Sequence, residues 1–305
     1  MAFNLPKEVT LIEVGPRDGF QFEKKIIPTE LKVEIISRLV DAGLKHIQVA
    51  SFVNPARLPQ MADAEDVVGR LPESPGGIFS GLALNTKGVL RAHRAGLKHL
   101  EISISASDTH SRKNAGLSFD QAVIQMKEMI RLAREKSMGV RAGIQCAFGC
   151  VYEGAVSRER ILQLVRYYSS QGVDAIALSD TTGMANPLSV KQMLQVLIPE
   201  CRGIPVVLHL HDTRGLGLAN VMAALECGVT QFDTAMAGMG GCPFVRGAAG
   251  NIATEDTVNL MNLLGIITGI DIVGVSKCSE RLEKFLAKKF PGKMHRLLRQ
   301  EDLLH

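Results

Sequence analysis

Tryptophan is absent from this chain of 305 residues and tyrosine occurs three times; neither scarcity bears on function. The lack of any run of about 18 apolar residues says more, because it excludes a membrane-spanning helix. The opening stretch, MAFNLPKEVT, has no basic segment followed by an apolar one, so no secretory signal is expected. Lys and Arg are spread along the chain and the net charge of +4 is mild, so no nucleic-acid partner is expected. No Pro/Gly/Ser-rich linker divides the sequence. Of the six cysteines (Cys146, Cys150, Cys201, Cys227, Cys242 and Cys278), only the first two lie close together. Reduced thiols in a cytoplasmic protein are therefore expected rather than a disulfide framework.

What is present is ordinary globular composition, 46% hydrophobic and 22% charged, on a chain long enough for a large core. Eight β-rich runs stand out: 10–14, 46–50, 78–84, 99–105, 140–146, 175–179, 205–211 and 231–237. Between most of them lies helical periodicity. In TELKVEIISRLVDAG, for example, Leu31, Ile35, Leu39 and Val40 share a stripe, with Thr29 as the expected N-cap and Gly43 as the C′ residue. A repeated unit follows from Gly43, Gly96, Gly172 and Gly228: a helix ends, a glycine supplies a left-handed turn, and an apolar strand begins. Repeated helix–Gly–strand units predict a parallel sheet built from βαβ crossovers. Eight nearly all-apolar strands suit a closed (β/α)8 TIM barrel better than the alternative, an open doubly wound sheet. One catalytic domain over 1–305 is expected, with the barrel over about 8–272. A short helical extension over about 275–305 would carry its charges on a solvated face.

Chemistry in such a barrel sits at the C-terminal ends of the strands. The polar residues there are Arg17, Asp18 and Gln21 after the first strand, Gln48, Ser51 and Asn54 at the second, and His110, Lys113 and Asn114 after the fourth. Asp180 follows the sixth strand, His209, His211 and Asp212 close the seventh, and Cys242 and Asn251 lie in the glycine-rich stretch after the eighth. Residues i and i+2 of a strand face the same way, so His209 and His211 point together. Two imidazoles with a carboxylate and amide oxygens form a mixed N/O set suited to a divalent ion. The alternative is a pair of hydrogen-bonded histidines. Cys242, in GGCP, sits between flexible glycines and a rigid proline, where a thiol can approach a substrate as a loop closes. The alternative is a small buried apolar residue. GMGG lacks the strand–GxGxxG–helix frame of a dinucleotide site.

Taken together, EVGPRDGFQ, SFVNPARLPQMADA, SDTTG, HLHDTRG, GMGGCPFVRGAAGN and ATEDTV resemble the 3-hydroxy-3-methylglutaryl-CoA lyase family, one of a group of metal-dependent TIM-barrel lyases and synthases. The resemblance implies that Asp18, His209, His211 and Asn251 bind a divalent metal, Mg²⁺ or Mn²⁺. It also implies that Arg17 steadies the thioester oxygen as enolate charge develops, that Cys242 serves in proton transfer, and that Asp180 lies beside the substrate hydroxyl. His209 would join the catalytic set, and Gln21, Gln48, Ser51 and Arg214 would contact substrate. The implied reaction cleaves an acyl-CoA to acetoacetate and acetyl-CoA, in a protein expected to be a homodimer. A condensing enzyme of the isopropylmalate or homocitrate synthase type is the second reading, and a non-catalytic CoA- or metal-binding relative the third.

Three positions depart from the family pattern. Gln48 stands where these lyases usually carry glutamate, Arg214 where tyrosine is frequent, and Phe20 where leucine is usual. Were both Gln48 and Arg214 near the mouth, each charge change at roughly 6 Å and an effective dielectric of about 20 would be worth on the order of 2–3 kcal/mol to an anionic substrate. A shifted acyl-CoA specificity is the expectation; the alternative is that Gln48 lies behind the site and is tolerated, in an ordinary lyase of this type.

Overall fold

The computed structural model describes residues 5–241 and 249–301. Eight parallel strands close into a barrel in sequence order: β1 (Thr10–Glu13), β2 (His46–Ser51), β3 (Ile78–Ala83), β4 (His99–Ser105), β5 (Gly139–Gln145), β6 (Ala175–Ser179), β7 (Val206–His209) and β8 (Gln231–Thr234). The helices outside it are α1 (Thr29–Asp41), α2 (Ala64–Gly69), α3 (Thr86–Arg94), α4 (Asp108–Ala115), α5 (Phe119–Glu135), α6 (Arg158–Gln171), α7 (Pro187–Leu197), α8 (Gly217–Leu225), α9 (Thr254–Leu263), α10 (Ile272–Leu286) and α11 (Met294–Glu301). This is a TIM barrel. The strands are apolar on their outer faces because those faces meet the helices, as Ile47, Val49, Ile102 and Ile176 do, each at most 1% exposed. Among the described residues no helix is long and apolar enough to cross a membrane.

The four glycines after α1, α3, α6 and α8 all have positive φ, from 59° to 93°. At Gly43 (φ 90°) a Cβ would also lie 2.3 Å from the Gly269 carbonyl oxygen, so two constraints meet at one position.

Local details differ from the sequence reading. Thr29 is not the N-cap of α1. Pro28 holds that position, and the Thr29 hydroxyl donates to Asp63 Oδ2 at 2.7 Å. A carboxylate from outside the helix competes successfully for the hydroxyl. β7 ends at His209 rather than at residue 211, and β8 at Thr234 rather than at 237. Beyond those ends the chain turns toward its neighbour: His211 pairs with Asn251 and Ala235 with Ala253 in isolated bridges.

The C-terminal segment is more than a solvated addition. α10 begins at Ile272 and buries Val275, Cys278 and Leu282. The Ser279 hydroxyl donates to Glu255 Oε1 at 2.5 Å, and the Gly292 amide donates to the Ala237 carbonyl at 2.8 Å. The chain after the barrel thus returns to brace the loop that follows β8.

Candidate active site

Just after β1 the chain makes one π-helical turn over Gly15–Gly19, in which the Arg17 and Asp18 amides both reach the Val14 carbonyl. Such turns recur at functional sites because they redirect side chains. Here the turn buries Arg17 and Asp18, each 6% exposed, and turns both onto the wall of a cavity of about 650 Å³. That volume is within the range of small-molecule sites. Gln21, Ser51, His209 and His211 share this wall with Leu58, Leu84 and Leu117.

Asp18, His209 and His211 each offer one atom, and these atoms lie within 4.8 Å of one another. Asp18 Oδ1 accepts from Gln21 Nε2 at 3.0 Å and also from Arg17. Asp18 Oδ2 accepts from Asn251 Nδ2 at 2.8 Å. The same amide nitrogen donates to the Met239 carbonyl at 2.9 Å, which fixes Asn251 so that Oδ1 is its remaining polar atom. That oxygen is buried and has no hydrogen-bond partner among the described residues. His209 Nδ1 lies 3.0 Å from Asp233 Oδ2. A carboxylate only accepts, so Nδ1 carries a proton, and in the neutral ring Nε2 presents a lone pair. His211 Nε2 is 3.1 Å from that lone pair.

Charge supports this reading. Burial would raise the Asp18 carboxyl, but Arg17 and His209 outweigh it and hold Asp18 below the usual carboxylate range. Burial and the neighbouring His209 push His211 down to about 3, so its ring is neutral at ordinary pH. Burial acts downward on His209 too, yet its bond to Asp233 raises it overall. An ionised carboxylate, two imidazoles and an unpartnered amide oxygen fit a divalent cation. A histidine–histidine hydrogen bond would join the two Nε2 atoms but leave Asn251 Oδ1 and His211 Nδ1 orphaned.

A buried chain of charged groups runs within the barrel from the wall, which Glu101 also lines. Arg17 Nε donates to Gln48 Oε1, and Gln48 Nε2 donates to Glu101 Oε2 at 2.9 Å. Arg141 grips Glu101 on one side and Asp233 on the other, with 2.6 and 2.8 Å bonds to the latter, and Asp233 holds His209. Strand register builds this order: Glu101 stands opposite Arg141, and His209 opposite Asp233.

Other expected residues fall elsewhere. Gln48 is fully buried behind Arg17 and is not on the cavity wall. Asp180 is also off the wall: its Oδ1 accepts from the Met184 and Ala185 amides at 2.7 and 3.0 Å, and burial pushes its carboxyl up to about 7. Arg214 turns away from the mouth and donates to the Thr182 and Gly183 carbonyls, outside the cavity lining. The electrostatic change expected at the mouth from Gln48 and Arg214 therefore loses its geometric basis. Ser51 does line the cavity, with a buried Oγ that has no partner among the described residues, and Ser103 adds a second such hydroxyl. Cys242 lies outside the described residues; Gly241, which precedes it, is on the wall. His110 and Asn114 line the cavity, whereas Lys113 lies over the Tyr152 ring at 5.0 Å.

Comparison with known proteins agrees with this geometry. The HMGL-like family model matches residues 8–281. The chain belongs to the HMGL-like family. It is 39% identical over 290 residues to the mouse (Mus musculus) mitochondrial hydroxymethylglutaryl-CoA lyase, covering 95% of this chain and 89% of the relative. It is 37% identical to the rat (Rattus norvegicus) cytoplasmic 3-hydroxy-3-methylglutaryl-CoA lyase, over 95% and 84% of the two chains. Relatives of this HMGL-like chain thus include both mitochondrial and cytoplasmic proteins. A solved HMG-CoA lyase from A. baumannii, in complex with coenzyme A and 3-methylmalate, superposes with a TM-score of 0.91 at 37% identity, covering 97% of this chain and 96% of that one. Within the HMGL-like frame, Phe20 is a core residue, 1% exposed, and has no place in the site.

Proposed function

We propose that the protein is a divalent-metal-dependent carbon–carbon lyase that cleaves 3-hydroxy-3-methylglutaryl-CoA, or a closely related 3-hydroxyacyl-CoA, to acetoacetate or its analogue and acetyl-CoA. The observation that carries this reading is the meeting of Asp18, His209 and His211 beside Arg17 on one cavity wall, with the orphaned Asn251 Oδ1 on the amide that holds Asp18. A Mg²⁺ or Mn²⁺ ion on those four groups would make the substrate's tertiary hydroxyl easier to deprotonate.

The chain's own residues account for the rest. Cleavage turns the hydroxyl carbon into a ketone as the hydroxyl proton passes to water and the C2–C3 bond breaks; the electron pair passes to C2 as a thioester enolate. Arg17 is held from two sides, by Gln48 and Asp18, so its guanidinium is oriented before substrate arrives. A fixed, permanently charged donor stabilises a developing oxyanion more than a mobile one, because no reorganisation is needed. The unpartnered hydroxyls of Ser51 and Ser103 are free to bind substrate oxygens. The enolate then takes a proton at C2 to give acetyl-CoA, and the Cys242 thiol, next in the chain after wall residue Gly241, supplies it. The A. baumannii relative, solved with coenzyme A, supports an acyl-CoA substrate.

The test is turnover of HMG-CoA by metal-stripped protein, with and without added Mg²⁺ or Mn²⁺, compared with Arg17→Ala. Metal-dependent acetoacetate formation, lowered by a factor of about 10³ in the variant, supports the reading. Cleavage that does not depend on Arg17 contradicts it.

A further inference from the structure

We propose that Gln48 is a positioning residue: a neutral two-way link that locks the Arg17 guanidinium to the buried Arg141–Glu101 pair. Gln48 is 0% exposed and touches no cavity surface. Its neighbours leave its amide one orientation. Glu101 Oε2 can only accept, so it takes Gln48 Nε2, at 2.9 Å. Arg17 Nε can only donate, so it takes Gln48 Oε1. Glu101 is itself immobile, because Arg141 binds it while also binding Asp233 with both terminal nitrogens. The orientation of Arg17 is thus set from β4 and β5, through a residue on β2 that meets no ligand.

The same geometry explains why this link is an amide. An ionised carboxylate at residue 48 could accept from Arg17 but would face Glu101 with no proton between them, two like charges in a buried space. An apolar side chain would leave the Arg17 Nε–H buried without its acceptor. Only a group that accepts on one side and donates on the other satisfies both neighbours. A protonated carboxylic acid is the one other common group of that shape.

The inference rests on the role given to Arg17 above, and its test separates the two. The full chain is labelled with ¹⁵N-arginine, and the Arg17 Nε–H signal is assigned by its loss in Arg17→Lys. In Gln48→Leu that signal should shift and exchange with solvent at least about tenfold faster, since its acceptor is gone. Metal affinity by calorimetry should stay within about twofold, while kcat for HMG-CoA falls at least about tenfold with little change in KM, the pattern of a lost transition-state contact. Gln48→Glu should regain activity relative to wild type as the pH is lowered and the new carboxyl protonates, and lose it as the pH rises; this arm also decides the matter if the leucine variant does not fold. An unmoved Arg17 signal in Gln48→Leu, or a wild-type pH profile in Gln48→Glu, overturns the proposal. The NMR arm needs no turnover, so failure of wild type to cleave HMG-CoA would defeat the functional reading and leave this one standing.

Discussion

His209 Nε2 and His211 Nε2 lie 3.1 Å apart, although β7 ends between the two residues. The i, i+2 spacing survives the end of the strand because His211 is held in a bridge to Asn251. The proposed metal set is therefore coupled: the residue that places one imidazole would also contribute an oxygen, and it steadies Asp18 through its amide.

That coupling sets the expected effect of Asn251→Ala. The substitution removes the unpartnered amide oxygen and frees Asp18 Oδ2, while the backbone bridge that places His211 stays. Metal affinity, read by calorimetry or by Mn²⁺ electron paramagnetic resonance, should fall by about 10- to 100-fold or more. Unchanged affinity would remove Asn251 from the ligand set.

Gly240 should tolerate no side chain. Its φ is 101°, and a Cβ there would lie 2.5 Å from Asn251 Nδ2 and 2.9 Å from Asp18 Oδ2. Gly240→Ala adds backbone strain of about 1–3 kcal/mol and pushes on two of the groups proposed to hold the metal. A lower Tm together with weaker metal binding is the expected result. Loss of stability with metal binding intact would show that the strain is relieved away from the site.

Stability should depend on pH through Glu13. Burial raises its carboxyl from 4.5 to about 7, against the opposing bonds from Thr254, Met236 and Gly15. A folded-state value above the unfolded one means that the folded chain keeps the proton longer. The associated stability is present below about 4.5 and is lost as the pH rises through about 7, a change on the order of 3 kcal/mol at about 1.4 kcal/mol per pH unit. Denaturant titrations of metal-free protein from pH 4.5 to 8 should show this decline, and Glu13→Gln should flatten it. An equal slope in the variant would assign the decline to other groups.

Much of the architecture is legible in the sequence because its signals are local. Glycines at the ends of α1, α3, α6 and α8 need positive φ wherever they occur, and eight apolar runs between amphipathic ones leave few topologies. Asp18, His209, His211 and Asn251 are legible as a group because a barrel gathers its strand ends at one face. The support beneath them is not. Glu101, Arg141 and Asp233 lie inside runs that read as apolar strands, and nothing local says that a register pairing brings them together. The available signal is the anomaly itself, since a charge in the middle of a buried strand needs a partner. Arg214 and Asp180 stand off the cavity wall for a reason that is also local. Their positions in sequence are right for the mouth, but nearby backbone groups, the Thr182 and Gly183 carbonyls and the Met184 and Ala185 amides, capture their side chains. The charges in α10 and α11 likewise hid a buried stripe through Val275, Cys278 and Leu282.

The most direct test of the central claim is product analysis by NMR of metal-stripped protein given HMG-CoA, before and after addition of Mg²⁺ or Mn²⁺. Acetoacetate and acetyl-CoA should form in equal amounts only when metal is present, and both should be lost in Asp18→Ala. Equal cleavage with and without metal, or full activity in Asp18→Ala, would contradict it.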